Sequence, residues 1–145
     1  MRFFFVLILS LLISSQSFAA GSDDDTTLVK PSDYKKAVNL IKKHSFKEAI
    51  SILESILSKS KYQKDPDILN EYAFSLRKIG NLEKAEEYYN KALKIDPKHK
   101  GALEYLGELY VDTKRVDKAK KILIKLEKCK CNEFAELKDY INRAN

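Results

Sequence analysis

Apolar residues recur along most of this chain at the three- and four-residue intervals that place them on one face of an α-helix. Tyr34, Ala37, Val38 and Ile41 make the first such face. Phe46, Ala49, Ile50, Leu53, Ile56 and Leu57 make the second; Ile68, Leu69, Tyr72, Ala73 and Leu76 the third. Leu82, Ala85, Tyr88, Tyr89, Ala92 and Leu93 follow, then Ala102, Leu103, Leu106, Leu109 and Tyr110, then Val116, Ala119, Ile122, Leu123 and Leu126. Phe134, Leu137, Tyr140 and Ile141 close the series. The pattern predicts seven helices of roughly 12 to 14 residues from Ser32 onward.

The breaks between these faces carry helix punctuation. Asp65-Pro66 and Asp96-Pro97 stand at two junctions. Aspartate can cap a helix N-terminus, and proline suits the first helical position or a turn just past a helix. Gly80-Asn81 lies where the third helix must end, and glycine accepts the left-handed conformation that ends helices. The chain therefore reads as a run of helical hairpins with no strand pattern.

The hairpins repeat. Ala49, Ala85 and Ala119 are spaced by 36 and 34 residues, and the apolar skeleton around each recurs with them. Each hairpin must offer its neighbour the same face, so the same residue classes return at the same points. Small residues (Ala73, Gly107, Ala85, Ala119) mark places where two helix backbones approach, and large ones fill the rest.

A helix–turn–helix unit with a period of 34 residues resembles the tetratricopeptide repeat. Leu103, Leu106, Gly107 and Tyr110 resemble that family's W-x-x-L-G-x-x-Y signature, with Leu in place of Trp; Leu69, Tyr72, Ala73 and Leu76 occupy the same positions one repeat earlier. The first repeat departs from the pattern, with Asp33 where a large residue is usual and His44 where Gly is common. The resemblance implies an all-α, right-handed superhelical solenoid of about three hairpins over residues 32–65, 66–99 and 100–131, with a capping helix over 132–145. Short exported members of the family in Gram-negative bacteria have a similar layout.

In that family the first helix of each hairpin (helix A) lines a concave groove in which peptides or helices dock. Carried over by position, the groove residues are Tyr34, Lys35, Val38 and Lys42 in the first repeat, Asn70, Phe74, Arg77 and Lys78 in the second, and Glu104, Glu108 and Asp112 in the third. Phe74 is an aromatic anchor for a partner, or else packs against the next repeat. The carboxylate clamp of cochaperone members is absent, because Tyr34, Gly101 and Tyr105 stand where its basic residues would be. Groove charge runs from basic in the first repeat to acidic in the third. A bound segment of opposite polarity is the expectation.

The segment before the repeats changes the address. Arg2, the eleven-residue apolar run Phe3 to Ile13, and the small residues Ser17 and Ala19 make a secretory signal peptide over residues 1–19. The run is short for a membrane span, which needs about 20 apolar residues. Export to the periplasm is the expectation, and an uncleaved signal would be the chain's one membrane contact. Residues 20–31 read as a flexible acidic leader. Its Asp23-Asp24-Asp25 lacks the spaced oxygen ligands of a calcium loop.

Cys129 and Cys131 fit an oxidising compartment. Bridges prefer a Cα separation of about 5.5 Å, so a bond between residues two apart is strained. A local disulfide tying the third repeat to the capping helix is one outcome. Free or intermolecular thiols, metal binding and thiol–disulfide exchange stay open, although no β-α-β pattern surrounds the pair. The net charge is +6, or +5 without Arg2. Lysines and glutamates interleave along the chain, which indicates a solvated surface rather than a nucleic-acid footprint. With four glycines there is no phosphate loop, no serine elbow is present, and His44 and His99 lack metal-ligand neighbours. Taken together, the residues point to a cofactor-free, non-enzymatic module that binds a protein or peptide partner, as an adaptor or assembly factor, with self-association a further possibility.

Overall fold

A computed structural model describes residues 29–144. The signal peptide expected over 1–19, Asp23–Asp25 and most of the leader expected over 20–31 lie outside the described residues. Within them are seven α-helices and no strand: α1 (Ser32–Lys42), α2 (Phe46–Leu57), α3 (Pro66–Lys78), α4 (Leu82–Ile95), α5 (Lys100–Asp112), α6 (Val116–Leu126) and α7 (Asn132–Arg143). Successive helices pack as neighbours, α1 on α2, α3 on α4 and α5 on α6. The first helices of the hairpins also stack on one another, α1 on α3, α3 on α5 and α5 on α7. This is an all-α repeat solenoid.

The three hairpin turns share one geometry. His44, Gly80 and Lys114 all have positive φ, at 60°, 85° and 61°. In each, the next residue's N–H closes the helix end on a carbonyl five residues back: Ser45 on Leu40 and Asn81 on Leu76 at 2.9 Å, Arg115 on Tyr110 at 2.6 Å. Such a left-handed closure satisfies carbonyls that the helix leaves orphaned. Glycine was the visible signal at position 80 only; histidine and lysine adopt the same conformation at the other two turns.

Helix starts follow side-chain chemistry. Asp65 Oδ1 accepts the N–H groups of Asp67 at 3.0 Å and Ile68 at 3.1 Å, with Pro66 as the first residue of α3. Asp96-Pro97 takes the other role that such a pair can have. Asp96 ends α4 and its Oδ1 accepts the Lys98 N–H at 2.9 Å, while His99 caps α5 by accepting the Ala102 N–H on Nδ1 at 3.0 Å. The segment after α2, longer than the other junctions, winds into a 3-10 turn over Ser60–Tyr62.

The core lies between the two helix layers. Ala37, Ala49, Ala73, Ala85 and Ala119 are fully buried, as the close approach of backbones requires. Tyr72 and Tyr89 fill the spaces beside them. Gly107 marks the tightest approach: a Cβ there would lie 2.6 Å from Cδ2 of Leu137 on α7. The last helix thus packs on α5 as a further first helix would, and its Leu137 and Ile141 close the core.

Candidate functional site

The stacked faces of α1, α3, α5 and α7 form one continuous surface. Along α1, Lys35 and Lys42 are exposed while Tyr34 and Val38 are half-buried. Lys30, just before α1, reaches across to α3 and pairs with Asp65 at 2.9 Å and Asp67 at 2.8 Å. His99 of the next junction meets Asp67 from the other side at 2.9 Å, and because its Nδ1 accepts the cap hydrogen bond, Nε2 is the donor here. Burial works against ionisation of Asp67, but the hydrogen bonds from Lys30 and His99 outweigh it and hold this carboxyl below its ordinary range.

At the centre, Phe74 is half-buried. Its ring lies 4.7 Å from that of Tyr105 on α5 and 6.1 Å from that of Phe46 on α2. The ring therefore packs against the neighbouring repeats and is left half-buried rather than enclosed. The exposed Lys78 ammonium sits 5.0 Å above this ring. Burial, reinforced by Glu104 and Glu71, pushes the Tyr105 hydroxyl up to about 12.

Arg77 is not an open groove residue. It is 7% exposed, and its guanidinium is committed on every side. Nε donates to Asp112 Oδ2 at 3.0 Å and Nη2 to the same oxygen at 2.8 Å. Nη1 donates to Glu108, and Nη2 also reaches the Tyr140 hydroxyl at 3.3 Å. Tyr140 in turn donates to Asp112 Oδ1 at 2.6 Å. Burial disfavours the charge, but these carboxylates overcome it and raise the pKa further. Three expected groove residues, Arg77, Glu108 and Asp112, thus form one cross-repeat lock.

The acidic end contains more carboxyls than the third repeat alone supplied. Glu104 is 4% exposed, and burial followed by the neighbouring Glu136, Glu108 and Glu133 raises its pKa far above the ordinary carboxyl range. Glu71 on α3 is raised as well, by burial and by Asp67. Asn70, also 4% exposed, has an Oδ1 with no hydrogen-bond partner. Sequence reasoning missed Glu133, Glu136 and Tyr140 because the last helix was read only as a cap. A signal was present: Glu136 and Tyr140 follow Glu104 and Glu108 by 32 residues, continuing the repeat register onto α7.

Cys129 and Cys131 lie at the far end of the third hairpin, between α6 and α7, away from this face. Their Cα atoms are 5.1 Å apart and their sulfurs are within bonding distance. Cys129 borders a cleft with Pro97, Leu103, Ile124 and several lysines. Among the described residues no group of three or more His, Cys, Asp or Glu is arranged to hold a metal ion, and no helix is long and apolar enough to cross a membrane.

Comparison with known proteins places this geometry. Two family models, each described as tetratricopeptide repeat, match residues 34–100 and 76–138. Among solved structures, a tetratricopeptide repeat protein from Parabacteroides merdae ATCC 43184 is similar, with 25% identity and a TM-score of 0.63 over 80% of this chain and 47% of that one. MamA from residue 41 to its end, from Desulfovibrio magneticus RS-1, is similar in fold, with 20% identity and a TM-score of 0.58 over 78% of this chain and 56% of that one. The chain thus spans about half the length of both. No curated protein matches it.

Proposed function

This chain belongs to the tetratricopeptide repeat family, and on that premise we propose that it is a non-enzymatic adaptor or assembly factor of the bacterial envelope, holding a segment of a partner protein along the concave face of α1, α3, α5 and α7. The observation that carries this reading is the half-buried Phe74, packed against Tyr105 with the exposed Lys78 ammonium 5.0 Å above its ring, at the middle of that face. An aromatic ring that is held by packing yet only half-buried gives a partner apolar contact at little entropic cost.

Charge adds direction. Lys35, Lys42 and Lys78 are the available cations, since Arg77 is neutralised within the fold. Glu104, Glu133 and Glu136 lie at the other end, on α5 and α7. A bound segment therefore runs with its acidic part over α1 and its basic part over α5 and α7, and like-charge contacts disfavour the reverse direction.

The envelope address rests on the signal-like first 19 residues. In an oxidising compartment Cys129 and Cys131 are bridged, as the approach of their sulfurs supports. The bridge then acts as a staple between the third hairpin and α7.

In vivo photocrosslinking from position 74, with position 91 on the outer helix α4 as control, tests the reading. A specific heterologous adduct from position 74 alone supports it, and mass spectrometry identifies the partner. Adducts only to a second copy of the chain, or equal adducts from both positions, overturn it.

A further inference from the structure

Polar side chains that packing leaves unmatched stand at matching positions of adjacent first helices. Asn70 Nδ2 lies 3.4 Å from where a Cβ of Gly101 would be, so the amide of α3 rests on the first turn of α5. Its Oδ1 is buried and accepts nothing. The one other buried side-chain atom in that condition among the described residues is the Tyr89 hydroxyl, which lies under the same face, within the fields of Arg77, Tyr105, Glu108 and Glu71. Three residues on from Gly101 comes Glu104. The groups that act on it most strongly are Glu136, at hydrogen-bond distance, Glu108 and Glu133, all acidic. The buried arginine of this face, Arg77, is committed to Glu108 and Asp112.

Buried acceptors ordinarily find donors, and buried carboxyls ordinarily find cations. Here the amide oxygen has no donor and the carboxyl is paired only with another carboxyl, and they stand at equivalent stack positions on adjacent helices. We infer that Asn70, Glu104 and Glu136 form a cation subsite that takes the ammonium of a lysine or the guanidinium of an arginine carried by the bound segment. This rests on the concave-face reading above and gives it a chemical requirement. Such a side chain presents several N–H donors at once and can satisfy an amide oxygen and two carboxyls together. Bare metal coordination is less suited, because these carboxyls do not form a metal-holding group. The raised pKa of Glu104 agrees with a pair of carboxyls that hold a proton in place of that cation.

The test is an NMR titration of the full chain with n-butylammonium chloride and ethylguanidinium chloride, against sodium chloride at equal ionic strength. Saturable shifts of the Asn70 side-chain amide and of the Gly101 and Glu104 backbone N–H groups are expected. Affinity should fall at least about ten-fold in both Glu104→Gln and Glu136→Gln, a loss typical of one charge-assisted contact. Glu136 is exposed, so its variant reports on binding even where Glu104→Gln alters packing. Shifts no larger than those from sodium, or unchanged in both variants, overturn the subsite. The position-74 crosslink separates the two readings. Adduct formation that persists undiminished in both glutamine variants removes the subsite and leaves the groove; saturable cation binding without any adduct removes the groove and leaves the subsite.

Discussion

Arg77 on α3 and Asp112 on α5 are joined by two hydrogen bonds, at 3.0 and 2.8 Å, to a single carboxylate oxygen, and the arginine is almost wholly buried. They lie 35 residues apart, one repeat, so the contact measures how firmly the second and third hairpins are stacked. Tyr140 of α7 touches both partners and extends the lock over three first helices.

Removing the arginine leaves Glu108 and Asp112 facing each other without a counter-charge. Breaking one side of a buried pair costs about 3 kcal/mol. Arg77→Ala should therefore lower the thermal midpoint by roughly 10 °C for a chain of this size, as read by circular dichroism. Arg77→Lys should recover only part of that, because an ammonium cannot reproduce the planar fork. A midpoint within 2 °C of wild type for Arg77→Ala would show the lock to be energetically idle. For the same reason Lys78, not Arg77, is the position at which to test groove charge.

Gly107→Ala should dislodge α7. Alanine is the better helix former by about 1 kcal/mol, but its Cβ would come to 2.6 Å from the fully buried Leu137. Overpacking of a tight core costs about 1–3 kcal/mol, so the clash wins. Hydrogen exchange should show faster exchange in α7 with α1 and α2 unchanged. Gly107→Ala together with Leu137→Ala should restore the docking in part, and failure to do so would mean that another contact sets the approach.

The three left-handed turn residues predict opposite signs for similar changes. Gly80 has open space around its Cβ position, so Gly80→Ala meets no clash and pays only the left-handed penalty of about 1 kcal/mol. His44 and Lys114 already bear that cost at φ 60° and 61°. Lys114→Gly should therefore be neutral or stabilising by up to about 1 kcal/mol, despite the greater freedom of glycine in the unfolded chain. Urea unfolding of the two variants decides the sign.

These turns also mark the limit of what the sequence disclosed. The helices and their period were legible because Ala49, Ala85, Ala119 and the large residues around them obey packing rules that act within one repeat. The left-handed turns at His44 and Lys114 were not, since no glycine announced them. The first-helix register assigned Phe74, Glu104 and Glu108 to the same set of stacked helices as Lys35 and Lys42. It could not show that Arg77 is consumed, because its partners are 31, 35 and 63 residues away and come partly from α7. A partner distant in sequence becomes visible only once the hairpins are stacked.

The cysteine pair should act locally. A bridge enclosing a single residue removes little chain entropy, about 1.5 kcal/mol in the loop-closure picture. Replacing both with serine should lower stability by no more than that, with the effect confined to α6 and α7 in hydrogen exchange. A loss several times larger would mean that the bridge does more than staple the last helix. A loss of partner capture in vivo without any loss of stability would favour thiol–disulfide exchange.

Glu104 gives the chain a pH signature of definite sign. Its carboxyl is buried, and its acidic neighbours raise its pKa in the folded state above the ordinary value of 4.5. Above about pH 4.5 the unfolded chain has released this proton while the folded chain still holds it, so the unfolded state binds fewer protons and stability declines as pH rises. The contribution is complete below pH 4.5 and fades through neutrality towards the folded-state pKa. Glu104→Gln keeps the shape of the side chain, removes the titration and lets the amide donate to Glu136. It should match wild type near pH 4.5, exceed it by about 1 kcal/mol at pH 8, and flatten the slope between. Thermal midpoints of the two proteins at half-unit pH steps measure this directly. Parallel curves would show that Glu104 ionises freely in the folded chain, and that its acidic surroundings are relieved by solvent rather than by a held proton.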